Sequence, residues 1–277
     1  MVMSRELSLR QIRSICDEVF KQKIVGPNGK LVRIEVFGHG ALCMAVSGKC
    51  YLSLHNQNAS ANRGACVQNC RRKYKVIDLE DNIEMELDNE YIMSPKDLCT
   101  IDFLDDLIET GVEVLKIEGR GKSADYVRTS VKCYREAIDA YYEGKYTRDK
   151  VTSWLKQLET VFNRGFWGGY FLGKPLGEWT DSSGSKATQK KIFLGKGLHY
   201  FKKAGIGHFK IVSEKLNVGD HILVTGPTTG AKEMQVQYIQ VNGKSVDTVI
   251  KGSECTFATN FPVRVSDKLY KIEKNNG

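Results

Sequence analysis

Two regimes of hydrophobic patterning divide this chain near residue 190. Before it, short runs of β-branched residues alternate with stretches of helical periodicity; after it, helical spacing disappears. Alternating strands and helices predict parallel β/α units, whereas short strands separated by turns predict a small all-β barrel. The 277 residues suffice for two modest domains.

Ser8 stands three residues before Gln11, a capping-box pattern, and Leu9, Ile12, Cys16, Val19 and Phe20 follow at helical spacing. This predicts a helix over 9–22. Val2-Met3 can end a strand, and Pro27-Asn28-Gly29 reads as a turn. Val32, Ile34 and Val36 alternate with Arg33, Glu35 and Phe37, predicting a strand over 31–37 that Gly38-His39-Gly40 breaks. Tyr91-Ile92-Met93 reads as a short strand. Ser94 with Pro95 and Asp97 reads as a helix start, with Leu98, Ile101, Leu104 and Ile108 as its buried stripe and Gly111 as its end. A strand over 112–118 follows. Ser123 then caps a helix carrying Val127, Val131, Tyr134, Ile138 and Tyr141, and residues 147–162 form another. The glycine-rich and then Ser/Thr/Lys-rich stretch over 163–189 is a linker in its second half. Strand-like runs lie at 192–201, 207–213, 221–225, 234–241 and 262–272, with turns at Gly205, 217–220, Gly226-Pro227 and Asn242-Gly243.

Four of the eight cysteines crowd into the segment between Glu35 and Tyr74: Cys43, Cys50, Cys66 and Cys70, with six, fifteen and three residues between successive members. Four thiols so gathered can close on one metal centre, because thiolates bind zinc and iron–sulfur clusters well. Structural zinc sites usually space both ligand pairs by two to four residues, which only Cys66 and Cys70 satisfy. The wide first gap suits a cluster; zinc, free thiols and disulfides remain open. Disulfides need an oxidising compartment. The opening MVMSREL lacks a basic segment followed by an apolar core, and no apolar run approaches a membrane span, so the expected location is cytoplasmic and no membrane partner is expected. Cys16, Cys99 and Cys133 fall on helical stripes and read as core, with Cys99 as the one substitute ligand; Cys255 receives no role. Composition is ordinary, 41% hydrophobic and 27% charged, and the net charge of +8 points weakly to an acidic partner such as RNA, the charge reading as spread out.

The run Glu35-Val36-Phe37-x-His39-Gly40-Ala41-Leu42-Cys43, then Gly48-x-Cys50-x-Leu52-Ser53, then Asn62-Arg63-Gly64-x-Cys66-x-Gln68-x-Cys70-Arg71 resembles the signature of peptidase family U32, the collagenase-like proteins. Ser94-Pro95-Lys96-Asp97-Leu98, Lys116-Ile117-Glu118-Gly119-Arg120 with Lys122-Ser123 and Tyr126-Val127, and Asn163-Arg164-Gly165-Phe166 agree. The resemblance covers nearly the whole chain. It implies a (β/α)-barrel followed by a module similar to the β-barrel of translation factors. A full barrel takes about 250 residues and only about four units fit here, so the family's N-terminal half-barrel is expected to be missing: the chain is truncated, or a second chain completes it, or it self-associates. The exposed strand edges of a half-barrel argue against a lone monomer. The expected fold class is α/β: a partial (β/α)-barrel over 1–175 with a cysteine-rich metal loop over 38–75, a linker over 176–189, and a C-terminal β-barrel domain over 190–277.

Family members include bacterial proteins needed for oxygen-independent hydroxylation of a pyrimidine in tRNA or ribosomal RNA, with prephenate implicated as the hydroxyl source. Relatives hydroxylate a quinone precursor with bound 4Fe–4S clusters. The resemblance therefore implies a 4Fe–4S hydroxylase acting on RNA. A peptidase is the alternative, although the chain carries no His-Glu-x-x-His and no Gly-x-Ser-x-Gly motif. A cysteine nucleophile paired with His39 stays formally open. A cluster-carrying subunit of a two-chain assembly is a further alternative.

His39, at a strand end, can donate a hydrogen bond or shuttle a proton, or can make a structural contact beneath the loop. Alternation puts Lys116, Glu118 and Arg120 on one strand face, where they can bind a carboxylate or phosphate or form an internal salt-bridge layer. Lys122 and Ser123 offer an anion site at a helix N-terminus. Arg63, Arg71, Arg72 and Lys73 can hold RNA phosphates or form a solvated basic face. Glu35 reads as an ion-pair partner.

Overall fold

The computed structural model describes residues 1–43, 45–72, 76–77, 80, 84–85, 94–173, 178, 180–181 and 184–275. The chain divides into two compact units: Met1–Gly121 with Ser130–Lys186, and Lys122–Thr129 with Ala187–Gly277. The expected strand over 91–93, Lys73 and part of the expected linker lie outside the described residues. Among the described residues no helix is long and apolar enough to cross a membrane.

The first unit is built from α1 (Leu9–Lys21), β1 (Glu35–Gly40), α2 (Leu52–Gln57), β2 (Val76–Ile77), β3 (Glu84–Met85), β4 (Asp97–Cys99), α3 (Leu104–Ile108), β5 (Val114–Ile117), α4 (Ala124–Tyr142), α5 (Arg148–Glu159) and β6 (Phe166–Trp167). The first turns of α4 group with the second unit. The capping box at Ser8 and Gln11 is present, and Ile12 and Val19 are the buried positions of α1. Thr147 caps α5 by accepting from Lys150 N, and Val151, Trp154 and Leu158 face inward. These side chains join Val36, Leu98, Ile101, Leu104, Leu107, Tyr134 and Ala137 in one core.

The sheet order is β5-β1-β4-β6. β1 pairs parallel with β5, β4 pairs parallel with β6, and Val2 bridges parallel to Glu35. β1 and β4, however, are antiparallel, with His39 opposite Cys99 and Gly40 opposite Leu98. The described residues therefore form an open mixed sheet, and the expected arc of wholly parallel barrel strands is not what is found. A parallel pair needs a crossover, usually helical. Between β1 and β4 the chain has the cysteine loop, in which α2 spans only six residues.

The helix expected to start at Ser94 is also corrected. Asp97–Cys99 is a strand with all three residues buried, and the helix begins at Leu104. The Ser-Pro-x-Asp pattern matches a helix start, yet Asp97 is taken by Arg164, whose N–H and guanidinium reach it at 3.1 and 3.3 Å. Glycine at 111, with φ +90°, does end that helical segment.

Nor does Gly38-His39-Gly40 break β1, which runs through Gly40 with a register shift between Phe37 and His39 against β5. A bulge of this kind re-aims the side chains that follow it. Three bonds fix it. The Tyr134 hydroxyl donates to Gly38 O (2.7 Å), the Thr100 hydroxyl donates to the same carbonyl (3.0 Å), and Thr100 N donates to the Tyr134 oxygen (2.9 Å). Burial holds the Tyr134 hydroxyl well above its usual pKa, so it stays a proton donor throughout the working range. Tyr134→Phe removes a buried partner from both Gly38 O and Thr100 N and should destabilise the first unit by about 1–3 kcal/mol. Denaturant titration checks this; an unchanged midpoint would show that the bulge is held by Thr100 alone.

Apart from the first turns of α4, the second unit is all β, as the patterning after 190 predicts. Its strands are β7 (Gln189–Phe201), β8 (Ile206–Ile211), β9 (Leu216–Asn217), β10 (His221–Gly226), β11 (Gly230–Gln235), β12 (Ile239–Val241), β13 (Lys244–Val246), β14 (Thr248–Val249), β15 (Glu254–Ala258) and β16 (Lys268–Lys274). Eight form one sheet in the order β11-β10-β16-β7-β8-β15-β12-β13, and β9 pairs with β14. The Asn242-Gly243 turn has φ of 50° and 77° at its two residues, the left-handed geometry that two-residue hairpins require. Phe209 and Phe257 stack at 4.7 Å between centroids within a core of Leu194, Ile211, Ile222, Val224 and Leu269.

Candidate metal centre

The cysteine loop runs from the end of β1 to β4 and carries its own internal fastenings. Buried Ser53 accepts from Val67 N at 3.1 Å, and the buried Asn69 side chain donates to Leu52 O at 3.2 Å. Gln68 adopts φ +56°, a conformation uncommon outside glycine. It turns the chain between Cys66 and Cys70 into a single 3-10 turn over Asn69–Arg71.

All four loop cysteines are free thiols; Cys43 and Cys66 are exposed, and Cys50 and Cys70 half-buried. Burial pushes the Cys70 thiol up from its ordinary pKa, Arg71 opposes that, and Cys66, Cys43 and Cys50 each push it further up. The other three sulfurs thus lie within electrostatic reach of Cys70. They do not stand at ligation distance, since among the described residues no group of three or more His, Cys, Asp or Glu is placed to hold a metal ion. A set of four thiols flanked by guanidinium groups fits a cluster or a zinc ion by donor chemistry.

Two arginines frame the loop. Arg71 donates to Leu42 O (2.6 Å), to Pro95 O (2.6 Å) and to Ser94 Oγ (3.2 Å). Its guanidinium is thereby committed to fastening both ends of the loop, a positioning role in place of the expected substrate binding. Burial lowers its pKa, with Arg164 adding and Cys70, Asp97 and Cys43 opposing. Arg5 donates to Cys43 Sγ at 3.2 Å, lies 3.8 Å from a Glu118 oxygen, and packs 3.9 Å over the Phe37 ring. Beside it, Glu6 accepts from Ser47 N at 2.8 Å. Arg5 and Glu6 were not among the expected site residues.

Arg120 lies against Gly64: a Cβ at Gly64 would stand 2.5 Å from its Nη2. The Lys-Ile-Glu-Gly-Arg segment and the Asn-Arg-Gly segment, distant in sequence, thus meet here. Arg120 N donates to Glu118 Oε1 at 3.1 Å. Lys116 instead pairs with Glu35 at 3.1 Å, with both side chains partly exposed. The salt-bridge reading of Lys116 is the one the structure favours, and a pair so exposed contributes about 0–1 kcal/mol. Arg63 is exposed and, among the described residues, makes no ion pair. Lys122 and Ser123 group with the second unit, where Lys122 lies 5.2 Å from the Tyr126 ring centroid and Ser123 Oγ accepts from Lys191 at 3.2 Å.

His39 is only 2% exposed, with the Tyr134 and Phe166 rings at 5.4 and 5.6 Å. The cysteine opposite it is Cys99, whose thiol burial pushes up to about 11. A thiol held up in this way is not an activated nucleophile, since nucleophilic cysteines have lowered pKa values. Asp97, Leu98 and the Arg164-Gly165-Phe166 segment meet through β4 and β6, where Asp97 N donates to Gly165 O at 2.9 Å.

An α/β unit bearing a loop of four clustered thiols, joined to an all-β unit, defines the class of protein. The chain belongs to peptidase family U32, whose sequence model matches residues 1–181. It is 51% identical over 273 residues to a protein named collagenase from Porphyromonas gingivalis strain W83, covering 99% of this chain and 66% of the relative. It is 38% identical over 178 residues to tRNA hydroxylation protein P1 of Bacillus subtilis, covering 63% and 40%. It is 34% identical over 245 residues to the 23S rRNA 5-hydroxycytidine C2501 synthase of Escherichia coli, covering 85% and 34%. The chain therefore spans just under two thirds of the length of the collagenase relative. Among solved structures, the C-terminal domain of a Geobacillus thermoleovorans U32 peptidase matches 28% of this chain and 95% of its own, at 19% identity and a TM-score of 0.27.

Proposed function

We propose that the chain carries out, or is a part of the enzyme that carries out, iron–sulfur-dependent and oxygen-independent hydroxylation of a pyrimidine in tRNA or ribosomal RNA, with prephenate as a candidate hydroxyl source. The observation that carries this reading is the gathering of Cys43, Cys50, Cys66 and Cys70 about one thiol between two arginines. Those four residues would hold a 4Fe–4S cluster, with zinc as the alternative. When bound, such a cluster supplies electron transfer or coordination at iron.

The chain's own side chains supply the surroundings. Arg5 donates to Cys43 Sγ, and Arg71 opposes the rise that burial imposes on the Cys70 thiol. Arg120 above Gly64 and the exposed Arg63 give two guanidinium groups at the loop, whose forks suit the carboxylates of prephenate or an RNA phosphate. His39, enclosed by rings, orients the strand end beneath the loop. Relatives named for tRNA and rRNA hydroxylation support the RNA substrate class. Nucleoside analysis of RNA from a deletion strain is expected to lack one hydroxypyrimidine. An unchanged tRNA and ribosomal RNA profile would remove both as substrates.

The second reading, a peptidase, rests on the relative named collagenase. The protonated, buried Cys99 opposite His39 speaks against a cysteine–histidine pair there. Cleavage of gelatin by metal-free protein, abolished by a thiol-blocking reagent, would reinstate it. A third reading, in which the chain carries its cluster as one subunit of a two-chain assembly, rests on the same four thiols.

A further inference from the structure

We infer that the outer face of the second unit, across β16, β7 and β8, is a platform for a single strand of RNA. The charge spread expected along the chain is in fact uneven. Residues 187–277 hold fourteen Lys and Arg against seven Asp and Glu, which is +7 of the chain's +8. Three lysines also stand side by side on neighbouring strands: Lys268 opposite Lys196, and Lys196 opposite Lys210. Like charges directly opposite in a sheet destabilise it. Glu254, opposite Lys210 and 3.4 Å from it, relieves one end of the row. Among the described residues Lys196 and Lys268 make no ion pair, so the row keeps a net positive charge that an anion would offset.

Aromatic rings flank the row on both sides. On one side Phe193, 39% exposed, meets Tyr270 edge-on at 5.5 Å. On the other, Phe201, 46% exposed, lies 4.8 Å from His199 and is stacked at 6.4 Å with His208. His199 and His208 are opposite one another, two residues along β8 from Lys210, so they share its face. The turn that follows Phe201 adds the exposed Lys202 and Lys203. Exposed rings interleaved with unpaired lysines are what single-stranded nucleic acid requires: bases stack on the rings while the lysines meet phosphates. A duplex hides its base faces and would use only the lysines.

The choice of RNA as the strand rests on the proposed function, but the test is independent of it. Anisotropy of a fluorescein-labelled, mixed-sequence 12-nucleotide single-stranded RNA is followed with the full chain over a range of salt. Phe201→Ala should weaken binding about 5- to 100-fold at unchanged salt slope, the effect of removing one stacked base. Lys196→Ala with Lys268→Ala should lower the slope by about 1.4, near 0.7 for each phosphate no longer neutralised. Lys244→Ala, in the β12–β13 hairpin, should change nothing. Absence of RNA binding, binding indifferent to Phe201, or equal binding of polyglutamate would each overturn the platform. Lost hydroxylation with intact binding would count against the chemistry alone; intact hydroxylation without binding would count against the platform alone.

Discussion

Serine in place of Cys66 or Cys70 should leave a colourless protein. Prepared without oxygen, the parent chain is expected to carry about four iron and four sulfide, and either substitution should lower both roughly tenfold or more, since even residues behind the ligands alter metal affinity 10- to 100-fold. Cys70 feels all three of the other loop thiols, so the loss of one sulfur removes a quarter of the donor set. Cys133→Ser is the control. That thiol is buried against Trp154 O, and burial raises its pKa to about 12; its replacement affects packing and should leave the iron in place. Metal analysis of the parent and the three variants decides the matter. Stoichiometric zinc, or no metal in the parent, would sink the cluster reading.

Arg71→Ala is expected to release the loop without unfolding the rest of the chain. The guanidinium satisfies two backbone carbonyls and one hydroxyl. Bonds to a charged donor contribute about 1.5–3 kcal/mol each, so the loop should lose on the order of 3–5 kcal/mol of local stability. Arg71→Lys should rescue little, because an ammonium cannot present the fork that spans Leu42 and Pro95. The measurement is limited proteolysis within 43–94, paired with iron content and the unfolding of the second unit. Protection and iron equal to the parent's would show that the loop is held elsewhere.

Local chemistry was readable in the sequence. The capping box at Ser8, the glycine end at 111, the Asn242-Gly243 turn and the all-β character of the second unit follow from neighbours within four residues. What was not readable depends on distant partners. Ser94-Pro95-x-Asp97 looks like a helix start until Arg164, 67 residues away, takes the carboxylate. Arg71 and Arg120 look alike as basic residues, yet one fastens backbone and the other lies over Gly64. Lys116 finds Glu35 only because β1 and β5 lie side by side. The concentration of charge after 187 was available from counting, and averaging over the whole chain concealed it.

Arg71 also makes the stretch from Leu42 to Cys70 into a ring with a fixed clasp, since its side chain grips the backbone at Leu42. Doubling the length of such a ring raises the entropic cost of closing it by only about 0.6 kcal/mol. The fifteen residues between Cys50 and Cys66 therefore burden the closed ring little, so one tether can carry all four thiols without a large entropic penalty.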